Sequence, residues 1–293
     1  MAITASLVRE LRERTGAGMM DCKKALVETD GDADAAAELL RKKGQASAAK
    51  KAGRIAAEGC VKIAADEAGK RVAIMEINSE TDFVAKDENF LAFAEAAVQL
   101  ALTEQTDDVA ALANAKLPSG ETLEEARNAL IAKIGENIGV RRVALIEAQG
   151  RIAQYIHGSR IGAVVDIVGG DDELGKDVAM HVAAAAPVAI SDADVPAEQL
   201  EKEKKFQTEQ ALAEGKPPEI VEKMITGRMR KYLAEITLVG QPFVKDPDVT
   251  VGKLLQQKDA SVANFVRIEV GEGIEKKEED FAAEVEAQVR ASQ

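Results

Sequence analysis

The clearest hydrophobic pattern in the chain is a short apolar run followed by a periodic one. Residues 72–77 are almost all apolar and rich in β-branched side chains, which predicts a buried strand. From Asp87 onward, apolar residues recur every three or four positions, which predicts a helix with one apolar face that Asp87 can cap. The segment between them, residues 78–86, is therefore a short loop fixed at both ends. The apolar face of the predicted helix contains Phe90, Phe93, Ala94, Ala97 and Ala101.

An apolar ring lies inside this loop, where neither pattern gives it a core position. It belongs to Phe83, which stands between Asp82 and Lys86. A short loop that carries an apolar tip and a carboxylate is better suited to insertion into a partner protein than to binding of a small ligand.

Residues 1–55 are predicted to form a module of three short helices and a linker. The turn at residues 15–18 separates the first two helices, and Asp32 caps a third that is expected to end at Gly44. Residues 45–53, rich in Ala and Lys, are expected to be a linker or a frayed helix with solvated lysines.

Four residues lie around the first turn of this module: Arg12, Met19, Met20 and Lys23. Both methionines could fill the core. Two adjacent helical residues cannot both point into the same core, so at least one is expected near the surface.

Residues 56–147 are predicted to form a first core subdomain. A strand at residues 59–63 forms a hairpin with the buried strand and leads into the loop and helix already described. A second helix begins at Thr122, where Glu125 completes a capping box, and ends at Gly135 before a strand at residues 141–147. This order predicts an α+β fold, with helices packed on one face of a small antiparallel sheet.

Residues 148–280 are predicted to form a second core subdomain that repeats the first. Residues 163–167 echo residues 73–77, and both runs precede an acidic loop and an Ala-rich helix. The second loop lacks a phenylalanine, so only the first copy carries an exposed ring. His157 lies in the predicted hairpin of the second copy and is a candidate contact residue.

Residues 196–233 are predicted to be a helical hairpin inserted into the second subdomain. Pro196 and Pro218 each suit the start of a helix, and the segment between the two helices is a turn. The apolar stripe of the first helix is sparse, which favours projection from the body. A strand at residues 262–270 and a C-terminal helix at residues 281–293 complete the chain.

Length, composition and charge restrict the classes of function. The 293 residues suggest about two domains. A net charge of −13 argues against direct binding of nucleic acid. The sequence contains no apolar run long enough to cross a bilayer and no signal peptide, so we expect no membrane partner and a cytoplasmic location. Cys22 and Cys60 lack metal-ligand spacing and are expected to be reduced.

The sequence gives little support for an enzyme. His157 and His181 are the only histidines, and neither has a carboxylate at metal-ligand spacing. A nucleophilic pair of Cys60 and His157 is conceivable, although no sequence feature places the two together. The chain has no Walker-type phosphate loop, and acidic residues near Asp87 suit a helix N-terminus. We expect no catalysis, bound metal or cofactor.

Residues 81–87 resemble the signature of the translation elongation factor Ts family, and the resemblance continues through residues 238–244 and 251–255. It implies that residues 1–55 are a ubiquitin-associated-like module and that the helical hairpin is a coiled coil. It leaves open whether that hairpin forms a homodimer or a 2:2 complex, contacts the partner or only projects.

The resemblance implies guanine nucleotide exchange on the GTPase elongation factor Tu. The chain would bind the GDP form, displace Mg²⁺, promote GDP release and stay bound until GTP enters. Thr81, Asp82, Phe83 and Val84 would dislocate Mg²⁺ from the partner. The competing hypothesis is a chaperone or scaffold that binds a GTPase without exchange. The implied partner-binding residues are Arg12, Met19, Met20, Lys23, Ile134, Gly135 and His157.

Overall fold

The computed structural model describes residues 3–215 and 217–275. Its N-terminal part is a three-helix module in which Val8, Leu11 and Leu26 are buried together. The first helix ends at Gly16, whose φ of 65° is in the left-handed region. The helices are α1 (Ala5–Thr15), α2 (Met19–Glu28) and α3 (Ala33–Lys51).

The first core unit is a three-stranded antiparallel sheet covered by helices on one face. Its strand order is β1-β2-β3, with β2 in the centre. The predicted capping box of Thr122 and Glu125 is present, and the helix ends at Gly135 as predicted. One short helix, which buries Leu112, is present here and was not predicted from the sequence. The elements are β1 (Glu58–Ala65), β2 (Arg71–Ser79), α4 (Glu88–Glu104), α5 (Val109–Asn114), α6 (Leu123–Ile134) and β3 (Gly139–Glu147).

The prediction that the third helix ends at Gly44 is wrong. Helix α3 continues to Lys51, so most of residues 45–53 are helical, which agrees with the helical alternative for this segment and not with the linker. Gly44 is buried against α6, where an added Cβ would lie 3.5 Å from the carbonyl oxygen of Asn128 and 3.8 Å from the Cβ of Ala132. The glycine therefore lies inside α3 and faces α6 with room for a methyl group, and it does not cap the helix.

The second core unit repeats this arrangement with an antiparallel sheet of order β4-β5-β8. Helix α7 packs on this sheet as α4 packs on the first. The elements are β4 (Arg151–His157), β5 (Ile161–Val168), α7 (Asp172–Ala185), α8 (Ala197–Ala213), α9 (Pro218–Ile236), β6 (Pro242–Phe243), β7 (Asp246–Thr250), α10 (Val251–Gln257) and β8 (Ser261–Glu269).

The two sheets pack face to face through the faces that the helices leave uncovered. Val72 and Ile74 of β2 are buried here with Val164 of β5, while the alternate residues of β2 face the helices. Strand β2 is therefore buried on both faces, which explains its continuous apolar run. The contact is close, since an added Cβ at Gly162 would lie 2.6 Å from Cγ1 of Val61. The predicted α+β fold class is confirmed.

The predicted helical hairpin is present as α8 and α9. Its own core is small and contains Ala211, Val221 and Ile225, whereas Phe206 and Leu212 are exposed. The expected C-terminal helix at residues 281–293 lies outside the described residues. Within the described ranges, no helix is both long enough and apolar enough to span a bilayer.

Candidate partner-binding surface

The loop between β2 and α4 is short, and structured elements hold both of its ends. Strand β2 continues to Ser79, and a 3₁₀ turn at Val84–Lys86 precedes α4. The carboxylate of Asp87 caps α4, accepting hydrogen bonds from the amides of Asn89 at 2.8 Å and Phe90 at 3.2 Å. The predicted cap is therefore confirmed.

The ring of Phe83 points away from the protein, and 81% of the residue is exposed. The next two residues, Val84 and Ala85, are buried, and Val84 packs in the core beside Phe90. This buried pair fixes the 3₁₀ turn to the body while the ring before it stays in solvent. Exposure of a large ring on an anchored turn is a feature of protein-binding sites.

Asp82 adds a negative charge next to this ring. Its carboxylate is exposed and accepts a 2.8 Å hydrogen bond from Nζ of Lys86, one turn later. This bond and the charge of Lys86 lower the pKa of Asp82 below its ordinary value. The residue is consequently ionised at neutral pH.

The loop is held from the side by the turn that follows α6. The carboxylate of Glu136 accepts hydrogen bonds from the backbone amides of Glu80 and Thr81 and from the hydroxyl of Thr81, at 3.1, 3.0 and 2.7 Å. No sequence pattern indicates this role of Glu136, because a local pattern does not relate two segments more than fifty residues apart.

Ile134 and Gly135 lie next to the loop because they immediately precede Glu136. Gly135 is exposed with a φ of 93°, and its amide caps α6 on the carbonyl of Ile131. Ile134 is half-buried against the first core. Gly135 ends the helix and Ile134 packs against the core, and neither role prevents contact with a partner.

Two of the N-terminal candidates, Arg12 and Met19, lie on the side of the module that faces the end of α6. Arg12, Met19, Met20 and Lys23 are all exposed, and the two methionines are 57% and 61% exposed. Arg12 and Met19 line a groove that Lys133 of α6 also lines. The ammonium of Lys133 donates to the side chain of Asn89 at 2.7 Å, beside the loop. The structure thus brings Arg12 and Met19 to the same side of the molecule as the loop, while Met20 and Lys23 are shown only to be exposed.

His157 is exposed at the end of β4, where its Nδ1 lies 3.3 Å from the hydroxyl of Tyr155. Its hairpin reaches the first sheet, since the carbonyl of Ser159 accepts a hydrogen bond from the amide of Val61. In addition, Arg160 forms an ion pair with Glu58, which lies opposite Ser79 in the sheet. His157 is therefore connected to the loop through β1, without a direct contact among the described residues.

The structure opposes the catalytic alternative. Cys60 is 1% exposed, and burial raises the pKa of its thiol to about 11, so it is a poor nucleophile. His181 is fully buried on α7, with Nε2 at 3.0 Å from the side-chain oxygen of Gln241 and Nδ1 accepting from the amide of Val244. Over residues 3–215 and 217–275, no group of three His, Cys, Asp or Glu side chains could hold a metal ion.

Comparison with known proteins gives one consistent result. The family model described as Elongation factor TS matches residues 80–272. The elongation factor Ts of Hydrogenovibrio crunogenus is 62% identical over 291 residues, covering 99% of both chains. Those of Alkalilimnicola ehrlichii and Methylococcus capsulatus are 60% and 59% identical, each over the full length of both chains.

Proposed function

The chain belongs to the elongation factor Ts family, the nucleotide exchange factors for elongation factor Tu in translation elongation, and we propose that its loop at residues 81–87 drives the release of GDP. Family membership decides between the exchange factor and the non-exchanging chaperone or scaffold. It also identifies the partner, the non-enzymatic role and the cytoplasmic location that the sequence indicated.

Exchange requires the factor to prefer the nucleotide-free GTPase. A ligand shifts an equilibrium only by the difference between its affinities for the two states. The factor must therefore bind the empty partner more tightly than the GDP-bound partner, and by reciprocity GDP must weaken the factor's binding. This chain's residues supply that difference if they make contacts that the GDP-bound form cannot accept.

The exposed ring of Phe83 is the observation on which the proposal rests. The ring is already outside the protein, so no rearrangement of the core is needed before it inserts between elements of the partner. Burial of one Phe side chain is worth about 1.5 to 3 kcal/mol. That corresponds to about a tenfold to hundredfold shift, so other contacts must add to it.

The residues beside Phe83 have two different roles in this proposal. Asp82 brings an ionised carboxylate towards the Mg²⁺ site of the partner, where a new negative charge disturbs the coordination of the ion and helps to dislocate it. Thr81 and Val84 act by holding the loop, through the hydrogen bond to Glu136 and through burial in the core. The Mg²⁺ belongs to the partner and is not a cofactor of this chain.

The remaining candidates widen the contact around the loop. Met19 and Met20 offer exposed, adaptable apolar surface, and Arg12 and Lys23 add positive charge beside them. Ile134 and Gly135 present the end of α6, and His157 extends the surface to the second sheet. These contacts add affinity for the empty partner beyond what one ring supplies.

Replacement of Phe83 tests the proposal. Phe83→Ala removes an exposed side chain, so the fold stays intact while GDP release from elongation factor Tu slows by about tenfold to hundredfold. The measurement is the release rate of a fluorescent GDP at saturating concentrations of the factor.

Val188→Ala is the control, because that apolar side chain is 60% exposed between α7 and α8 and lies outside both the proposed surface and the helical hairpin. The control variant should release GDP at the wild-type rate. An unchanged rate in Phe83→Ala rejects the role of the ring.

A further inference from the structure

We propose that Glu80 and Glu136 form a reciprocal carboxylate clamp that fixes the loop carrying Phe83 to the turn after α6 and so positions the ring for nucleotide exchange. The inference rests on the proposed function of Phe83 and deepens it. Neither glutamate is among the residues expected to touch the partner. Both act through the loop, so they are positioning residues.

The first half of the clamp is the carboxylate of Glu136. One of its oxygens, Oε2, accepts from the backbone amides of both Glu80 and Thr81, at 3.1 and 3.0 Å. The other oxygen, Oε1, accepts from the hydroxyl of Thr81 at 2.7 Å. One side chain thus satisfies three donors at the start of the loop, and two of them are backbone amides that no strand partner satisfies.

The second half runs in the opposite direction. Oε1 of Glu80 accepts from the backbone amide of Asn137 at 2.5 Å. The side-chain amide of Asn137 donates to the carbonyl of Arg54 at 2.8 Å, and the guanidinium of Arg54 lies 3.4 Å from Oε1 of Glu80. Each segment therefore holds the backbone of the other by a charged acceptor, the stronger kind of hydrogen bond.

The clamp joins two parts of the proposed surface that are distant in sequence. Glu80 lies three residues before Phe83, and Glu136 directly follows Gly135. The side chain of Glu80 is only 21% exposed, so its carboxylate is occupied within the protein. Fixing the loop in advance reduces the ordering that partner binding would otherwise require.

A purely structural role and a positioning role predict different kinetics. Loss of folded protein lowers the concentration of active factor, and saturation with the factor restores the full rate. A displaced ring lowers the maximal rate of GDP release itself, even when every partner molecule is bound.

The experiment compares the maximal GDP release rates of Glu136→Ala, Glu136→Gln and wild type. We expect at least about a fivefold reduction for the alanine variant. The glutamine variant should restore most of the rate, because its carbonyl oxygen can accept from both backbone amides while its amide group meets the hydroxyl of Thr81. Glu104→Ala is the matched control, since this exposed glutamate ends α4, about 24 Å along the helix from the loop.

A double mutant separates the clamp from the ring. If Glu136 acts by positioning Phe83, adding Glu136→Ala to Phe83→Ala slows release no further. Full additivity, or a maximal rate for Glu136→Ala within about twofold of wild type while Phe83→Ala is slow, overturns the inference.

Hydrogen exchange tests the clamp even if the role of Phe83 fails. The amides of Glu80 and Thr81 should exchange faster in Glu136→Ala than in Glu136→Gln, with α4 unaffected. Unchanged exchange at these two amides rejects the clamp. An unchanged release rate in Phe83→Ala instead rejects the proposed insertion of the Phe83 ring into the partner.

Discussion

At the scale of the residue, His181 and His157 show how burial separates two side chains of one type. His157 is exposed at the end of β4, whereas His181 is fully buried on α7 between Gln241 and the backbone of Val244. Burial lowers the pKa of His181 below its ordinary value, and the hydrogen bond to Gln241 opposes this only in part. The buried imidazole is therefore neutral in the folded protein.

This burial predicts a loss of stability in mild acid. As the pH falls below about 6.5, His181 takes up a proton more readily in the unfolded chain than in the folded protein, so the free energy of unfolding decreases. The decrease between pH 7 and pH 5.5 is at most about 1 kcal/mol from this one group. Urea denaturation at several pH values measures it.

The only other histidine provides the control for this prediction. In His157→Gln, the free energy of unfolding should still decrease between pH 7 and pH 5.5. In His181→Gln, most of this decrease should disappear, even if the variant is less stable than wild type at pH 7. An equally steep dependence in His181→Gln would assign it to other groups.

At the scale of the element, helix ends follow local signals, but helix packing does not. Asp32, Asp87 and Thr122 cap their helices as predicted from the sequence. Gly44 looks like a stop signal and instead lies in the middle of α3, where it faces α6. The length of α3 is consequently set by its contact with another helix.

Gly44→Ala is predicted to stabilise the protein. The added Cβ would make ordinary contacts of 3.5 and 3.8 Å, and Ala loses less conformational freedom than Gly in a helix. We expect the free energy of unfolding to rise by about 0.5 to 1 kcal/mol, as measured by urea denaturation.

Gly44→Leu should instead lower the stability, because its larger side chain must separate α3 from α6. Gly227→Ala in α9, where an added Cβ meets no atom within 4 Å, serves as the reference for the propensity effect alone. Destabilisation by Gly44→Ala would show that the space between α3 and α6 does not admit a methyl group.

At the scale of the whole molecule, one buried carboxylate connects the two sheets. Glu76 lies at a bulge between β2 and β3 and is fully buried. It accepts hydrogen bonds from Arg141 and Arg142 of β3 and from the amide of Gly271, just after β8 of the second sheet. Burial raises its pKa, but these hydrogen bonds and that from Asn78 outweigh burial and lower it.

Glu76→Ala should therefore destabilise the whole protein. It removes the buried acceptor that two arginines and a backbone amide share, and breaking a buried charge network costs about 3 kcal/mol. The midpoint of urea denaturation is expected to fall accordingly.

Glu147→Ala is the control on the same sheet. Its ion pair with Arg71 is 3.4 Å long and its side chain is 80% exposed, so its loss should cost less than about 1 kcal/mol. Equal effects of the two variants would contradict the connecting role of Glu76.

Features that depend on neighbouring residues were determined by the sequence itself. The periodicity of α4, the capping box of α6 and the absence of a core position for Phe83 all follow from residues within a few positions of one another. The resemblance in residues 81–87 identified the family in the same way, because a signature is a local pattern.

Only the tertiary structure decided the pairings between distant segments. It placed Glu136 against Thr81, Gly44 against α6, and the bare face of one sheet against the other. Such contacts depend on which surfaces meet after the elements have formed. Many sequences with the same local pattern could pair differently, so hydrophobic periodicity and capping signals carry no information about them.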